Sequence, residues 1–191
     1  EITVDGKDIR IARLTLAGKG FSLSAAGSVK NKVTFQARVD DSSRLIPQTA
    51  GSFEADGWAR WRGEKPGGAL TLRARNWQAG PLALGRAQLS AVVSDQTPLS
   101  ATLDAVFGHV RWGGLAADTG TIKAGGTAKA HTVSVSLGRG RSRTILLALS
   151  GSYDKETWQG KILKLEGQDG VGSWRLALPA SLSVTPQRVV L

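Results

Sequence analysis

Two histidines and a pair of neighbouring aspartates are the residues of this sequence whose side chains most readily carry chemistry. His109 and His131 fall on separate predicted strands, and no cluster of His, Asp or Glu with metal-ligand spacing surrounds either. Acid–base catalysis by two carboxylates requires that they converge from separate elements, whereas Asp40 and Asp41 are adjacent and point apart. We therefore expect surface or edge-strand histidines, and a helix cap or loop at the aspartates.

Motifs that bind phosphate or present a nucleophile are also missing from the sequence. Gly138-Arg139-Gly140 has two glycines of a dinucleotide fingerprint but lacks the third glycine and a following helix. The chain has no cysteine, which excludes disulfides, thiolate zinc ligands and cysteine nucleophiles. We expect no enzymatic activity, no metal site and no cofactor.

Basic and aromatic residues leave a binding role open. The 25 lysines and arginines outnumber the 15 aspartates and glutamates, giving a formal net charge of +10 that permits anionic partners. The densest basic cluster, Arg139, Arg141 and Arg143, is interpreted as a solvated hairpin tip. Tryptophans are interpreted as residues that fill sheet ends and cover glycines across strands, although stacking on sugars or bases remains an alternative. The six are Trp58, Trp61, Trp77, Trp112, Trp158 and Trp174.

The elements that must position these residues are strands, because apolar and polar residues alternate with a period of two along most of the chain. Residues 133, 135 and 137 are apolar, for example, and so are residues 145, 147 and 149. The apolar members of this alternation, which we expect to share one face, are Val33, Phe35, Val39, Leu70, Leu72, Leu89, Val93, Leu103, Val133, Val135, Leu137, Ile145, Leu147, Leu149, Leu176 and Leu178.

Glycine-rich turns separate the strands and predict antiparallel hairpins. The short spacing between turns leaves room for roughly 12 to 16 strands. The only predicted helix is one or two turns within residues 40–50, capped by Asp41 or Ser42 and ended by Pro47. The predicted turns are Asp5-Gly6, Gly18-Lys19-Gly20, Asp56-Gly57, Gly67-Gly68, Gly113-Gly114, Gly125-Gly126 and Asp169-Gly170.

Half-apolar strands in this number hide their apolar faces in a closed barrel, in a two-sheet sandwich or in one long curled sheet. The pattern alone does not choose among the three. No linker or composition shift divides the chain, so residues 1–191 are interpreted as one β-rich unit. The strand-like end at residues 188–191 and the missing initiator methionine favour a segment of a larger protein.

The C-terminal third has a more specific pattern of glycine, tryptophan and aliphatic residues. This region, residues 126–185, resembles the DUF490 region of the TamB family, which is related to the AsmA-like proteins. The segments that carry the resemblance are Gly126-Thr127-Ala128-Lys129-Ala130-His131, Trp158-Gln159-Gly160-Lys161-Ile162, Gly172-Ser173-Trp174-Arg175-Leu176 and Pro179-Ala180-Ser181-Leu182.

The resemblance implies a fold and a function. The expected fold is all-β, a long curled antiparallel sheet called a beta-taco, which is an open groove with an apolar concave face. The sixteen apolar residues named above would line that groove and hold phospholipid acyl chains. The implied partners are phospholipid, outer-membrane protein clients and the BamA-like outer-membrane subunit of the translocation and assembly module. The implied location is the periplasm, with an inner-membrane anchor outside this chain, and no nucleic-acid partner is expected.

Two other functions stay open on the sequence. An open sheet has unpaired edges, so the chain is alternatively a chaperone-like module that binds outer-membrane β-strands by edge augmentation. A closed β domain that binds polysaccharide or nucleic acid through tryptophan and arginine is the third hypothesis.

Overall fold

The computed structural model describes residues 1–5, 8–63 and 65–190, and nearly all of them lie in β-strands. The strands are β1 (Ile2–Asp5), β2 (Asp8–Gly18), β3 (Phe21–Ser28), β4 (Lys32–Val39), β5 (Thr49–Arg62), β6 (Lys65–Ala79), β7 (Leu82–Ser94), β8 (Ser100–Trp112), β9 (Leu115–Thr127), β10 (Ala130–Arg139), β11 (Arg143–Asp154), β12 (Thr157–Gln168), β13 (Ser173–Arg175), β14 (Ala180–Val184) and β15 (Val189–Val190). This number falls within the range predicted from the turn spacing.

All fifteen strands form a single antiparallel sheet in which sequence neighbours are spatial neighbours. The order is interrupted only near the C-terminus, where β13 and β14 both pair with β12. The first and last strands do not pair, so the sheet is not closed into a barrel. The prediction of one long curled antiparallel sheet is confirmed, and the alternative of a closed β domain is wrong.

The only helix of the described part is a 3-10 turn at Ser42–Arg44, between β4 and β5. The Asp41 carboxylate caps it by accepting hydrogen bonds from the Ser43 backbone N–H at 3.1 Å and from the Ser43 hydroxyl at 2.7 Å. These bonds lower the pKa of Asp41 below its ordinary value. The predicted cap and helical turn within residues 40–50 are therefore confirmed, and the helix ends before Pro47.

Three predicted turns are wrong, because their glycines lie inside long strands. Gly57 is within β5, Gly68 is within β6 and Gly126 is within β9. At these positions the absence of a side chain admits a close neighbour instead of a chain reversal. A Cβ at Gly68, for example, would stand 2.8 Å from the Trp58 carbonyl oxygen on the adjacent strand.

Three other predicted turns are confirmed. Chain reversals are present at residues 18–20, 113–114 and 169–170. The turn predicted at Asp5-Gly6 includes Gly6, which lies outside the described residues.

The sheet has almost no conventional core. Among the described residues, the buried apolar side chains are Val33, Val39, Ala74, Val110 and Ala117. A closed two-layer domain of this length buries most of its large aliphatic residues. The apolar face of this sheet is therefore only half covered by its own chain.

Candidate functional site

The register of the strands gathers the predicted apolar residues on one face. Residues directly opposite each other in an antiparallel pair project to the same side, so a register followed from strand to strand defines a row. One row consists of Val39, Phe53, Ala74, Ala87, Phe107, Gly120, Leu137, Ile145, Gly167 and Trp174.

Three further rows lie parallel to the first, each displaced by two residues along the strands, except on β12, where a bulge makes the step from Leu165 to Ile162 three residues. The second is Leu23, Ala37, Ala55, Leu72, Leu89, Ala105, Ile122, Val135, Leu147 and Leu165. The third is Ala25, Phe35, Gly57, Leu70, Ala91, Leu103, Ala124, Val133, Leu149, Ile162 and Ala180. The fourth is Gly27, Val33, Ala59, Gly68, Val93, Ala101, Gly126, His131, Gly151, Gly160 and Leu182. We call these four rows the apolar face.

The apolar face contains fourteen of the sixteen residues predicted from the alternation. Val33 and Val39 are buried, and the other twelve are half-buried. Leu176 is outside a strand, but its backbone N–H donates to the Leu165 carbonyl at 2.7 Å, which keeps it beside the second row. Leu178 lies in the bend before β14 and is 77% exposed, so the structure does not bring it to the face.

Sequence reasoning missed several members of the apolar face. Phe53, Phe107 and Ile122 lie in the middle of the rows but were not predicted. The signal at Ile122 was weak because its same-face neighbours on β9 are Gly120 and Ala124, which carry little hydrophobicity. Selecting every second residue along each strand, regardless of side-chain size, would have included all three.

The opposite face of the sheet is polar and carries ion pairs. Arg38 contacts Glu54 on β5 at 3.4 Å, and Arg73 on β6 contacts Asp56 at 3.3 Å. These side chains are about half exposed or more, so each pair contributes little to stability. Their consequence is that the two faces of one sheet differ sharply in polarity.

Aromatic rings on the apolar face lie over glycines of the neighbouring strand. A Cβ built at Gly57 would stand 2.8 Å from the Phe35 ring, and Cβ atoms at Gly120 and Gly167 would overlap Phe107 and Trp174. Phe21 covers Gly18 in the same way, and Trp158 covers Gly151 and Gly160. The interpretation that tryptophans cover glycines across strands is thus confirmed for Trp158 and Trp174. Rings that lie along the backbone leave the space above the apolar face open.

His131 is the one ionisable side chain in the four rows, and both of its ring nitrogens have hydrogen-bond partners. Its Nε2 accepts a hydrogen bond from Trp158 Nε1–H at 2.6 Å, and its Nδ1 lies 3.1 Å from the Thr127 carbonyl oxygen. This arrangement assigns the Nδ1–H tautomer. The expectation of an edge or surface histidine fits His109, which is exposed, but His131 is half-buried in an interior strand.

The aromatic residue Trp58 lies on the polar face with cations beside it. Lys32 Nζ is 5.4 Å and the Arg60 guanidinium carbon 5.2 Å from the centre of its ring. Arg60 in turn contacts Asp95 at 3.0 Å, and Arg62 contacts the same carboxylate at 3.6 Å. The adjacent Arg60 guanidinium is the main cause of a pKa of Asp95 below its ordinary value.

The geometry defines an extended apolar surface rather than a cluster of reactive groups. Among the described residues, no three His, Cys, Asp or Glu side chains come together as metal ligands would. The described residues also contain no helix long and apolar enough to cross a membrane. The fold and this surface define the class of protein as an open antiparallel sheet with one extended apolar face.

The family model described as TamB, N-terminal domain, matches residues 2–190. The chain therefore belongs to the TamB family, whose members act in the translocation and assembly module, a machinery of transport and assembly not known for enzymatic activity. The match covers nearly the whole chain, including residues 2–70, in which the sequence resembled the family only by its alternation. A comparison with curated proteins found no match, and a comparison with solved structures found none either.

Proposed function

We propose that this chain is a periplasmic segment whose apolar face forms the floor of a groove for phospholipid acyl chains. In this role it supports transport of phospholipid to the outer membrane and assembly of outer-membrane proteins, autotransporters included. The BamA-like outer-membrane subunit of the module and its protein clients are the proposed partners. The parent protein is held in the inner membrane by a segment outside this chain. The observation that carries the proposal is the set of four rows of apolar residues across the sheet, most of them only half-buried.

The free energy available on such a surface is sufficient to hold a lipid. Removing one methylene from water contributes about 0.8 kcal/mol, so a chain of about 14 methylenes gains about 11 kcal/mol before the costs of ordering. Side chains of the apolar face are only half covered by the protein itself. A bound acyl chain would cover the remaining exposed area of these side chains.

An acyl chain can move along the groove only if its binding free energy is similar at successive positions. The four rows run across ten or more strands and contain a single ionisable residue, His131, whose ring nitrogens already have partners. No fixed charge on the floor would therefore trap a chain at one place. Three of the four aromatic rings in the rows, those of Phe35, Phe107 and Trp174, lie over glycines, so we expect them not to obstruct an acyl chain.

Site-specific photo-crosslinking in cells tests the proposal directly. Probes at Val135 and Leu147 stand opposite each other on the apolar face, whereas Ser136 and Ala148 are their chain neighbours on the polar face. All four side chains are half-buried, so the two pairs are matched in accessibility as well as in position. Phospholipid adducts at the first pair and none at the second are expected. Absence of lipid from both pairs overturns the proposal.

Edge augmentation by client strands is a second candidate with an observation in its favour. The first strand pairs only with Asp8–Ile11 of β2, so no described strand covers Leu14–Gly18 on that side. Backbone groups there are available to an incoming strand. Protein adducts from probes at Leu16, with no lipid adducts at Val135, favour this function over the groove.

A further inference from the structure

Six arginines lie along one edge of the sheet, where the hairpins β6–β7, β8–β9 and β10–β11 turn. We call them the arginine rim: Arg75, Arg86, Arg111, Arg139, Arg141 and Arg143. All six are exposed. None forms an ion pair with any carboxylate in the part of the chain that the structure describes.

Two cross-strand pairs in the rim juxtapose like charges. Arg75 stands directly opposite Arg86, and Arg139 stands directly opposite Arg143. Like charges at directly opposed positions destabilise an antiparallel pair. Folding alone therefore gives no reason for these pairs, whereas an anion placed between the two guanidinium groups would relieve the repulsion.

The aspartates near the rim already have backbone partners. Asp118 Oδ2 accepts a hydrogen bond from the Gly140 N–H at 2.7 Å. Asp169 Oδ1 accepts from Val171 and Gly172, and these two bonds, more than the charge of Arg143, hold the pKa of Asp169 below its ordinary value. Both carboxylates thus fix loop backbone and leave the arginines free to bind another anion.

Several cations at the opposite edge of the sheet, unlike those of the arginine rim, form ion pairs. Arg60 and Arg62 share the Asp95 carboxylate, and Lys129 contacts Asp154 at 2.9 Å. Arg60, Arg62 and Lys129 are thus compensated within the protein, whereas Lys65 and Lys155 at the same edge form no ion pair in the described residues. What distinguishes the arginine rim is that cations without ion pairs stand directly opposite each other in two cross-strand pairs.

A cavity of about 250 Å³ joins the rim to the apolar face. Leu137, Ile145 and Trp174 of the first row line it, and so do Arg139, Arg143 and Asp169, whose carboxylate is held by the backbone of its own loop. Apolar walls beside two guanidinium groups that form no ion pair in the described residues suit an anion that carries a hydrocarbon tail. Guanidinium pairs favour phosphate because they donate several hydrogen bonds in a fixed plane.

We propose that Arg139 and Arg143 bind the phosphate of a phospholipid whose acyl chain lies on the apolar face. This inference rests on the proposed function and adds the place at which the headgroup is held. Arg75 and Arg86 are one residue along their strands from Ala74 and Ala87 of the first row, so they project to the polar face and are not part of this site.

Binding of two lipids with identical acyl chains to the purified protein tests this inference. One is a fluorescent phosphatidylglycerol, and the other is the corresponding diacylglycerol, which lacks the phosphate. Charge-assisted hydrogen bonds from two arginines should favour the phospholipid by about tenfold or more. The double variant R139Q/R143Q should bind both lipids equally. The control R175Q/R188Q removes the same charge from arginines that also form no ion pair in the described part of the chain, and should keep the preference.

Each other outcome overturns the inference in a distinguishable way. Equal binding of the two lipids by the unaltered protein would contradict the phosphate site but not the proposed groove. Binding of neither lipid would contradict the groove as well. Equal losses in R139Q/R143Q and R175Q/R188Q would show general electrostatic attraction. Displacement of the lipid by micromolar inorganic phosphate would show a free-phosphate site instead.

Discussion

The ring of Phe107 on β8 lies over Gly120 on β9, so closely that a Cβ at Gly120 would overlap three of its ring carbons. The two residues are directly opposed in the first row of the apolar face. Because the ring occupies the space over a glycine, it projects less from the apolar face than it would over a larger residue. The rings of Phe35 and Trp174 likewise use the space that a side chain at Gly57 or Gly167 would otherwise occupy.

Substituting Gly120→Ala should force the Phe107 ring out of its position. Overpacking of this kind costs about 1–3 kcal/mol of unfolding free energy, which urea denaturation measures. The matched control is Gly125→Ala on the same strand, where a Cβ would meet Thr102 at an ordinary 3.7 Å. That variant should stay within about 0.5 kcal/mol of the unaltered protein. Equal effects of the two substitutions would contradict the packing argument.

The hydrogen bond between Trp158 and His131 should be measurable by a double-mutant cycle. Trp158→Phe removes the donor and His131→Leu removes the acceptor, while the smaller phenylalanine ring still covers part of the glycine surface beneath the indole. We expect a coupling free energy of about 1 kcal/mol between the two sites, the usual net value of such a bond. Additive effects of the two substitutions would show that the bond contributes nothing to stability.

Stability should depend on pH through Asp95. Its pKa is lowered in the folded protein, chiefly by Arg60, so its contribution is present above the ordinary pKa of 3.8 and is lost as the pH falls through the folded value. Asp95→Asn should therefore lower the melting temperature near neutral pH, and the difference should shrink as the pH falls below 3.8. A difference that is constant over the whole pH range would exclude this ionisation as the cause.

A negative charge on the apolar face should block lipid without unfolding the sheet. Val135→Glu places a carboxylate in the second row, where lipid binding would bury it without a partner. Ser134→Glu, the adjacent residue on the polar face, stands opposite Lys123 and should be harmless. We expect the phospholipid recovered with the protein to fall by about tenfold or more in the first variant only. Because Val135 is half-buried, circular dichroism should show the same strand content in both.

Removing the like-charge pair of the rim should not weaken the fold. Arg139 and Arg143 face each other across the hairpin without a compensating carboxylate in ion-pair contact among the described residues. The R139Q/R143Q variant should therefore melt at the same temperature as the unaltered protein or slightly above it. A clearly lower melting temperature would mean that the two arginines serve the fold, and the argument from their repulsion would fail.

Much of the apolar face could be predicted from the sequence, because alternation along one extended strand is a local property. Val133, Val135 and Leu137 had to share a face as soon as β10 was extended. The glycines were harder to interpret. Gly57 and Gly126 have the composition of turns, and only the neighbouring strand shows that they admit close contacts inside β5 and β9.

The sequence by itself determined the fold class, the polarity of the two faces and the identity of most apolar residues. The tertiary structure decided that the sheet stays open, that the rows of different strands meet in register, and that Arg139 and Arg143 face each other without an ion-pair partner among the described residues. The physical reason is the range of the interactions. Side-chain alternation follows from backbone geometry within one strand, whereas closure, register and charge compensation depend on which distant strands pair.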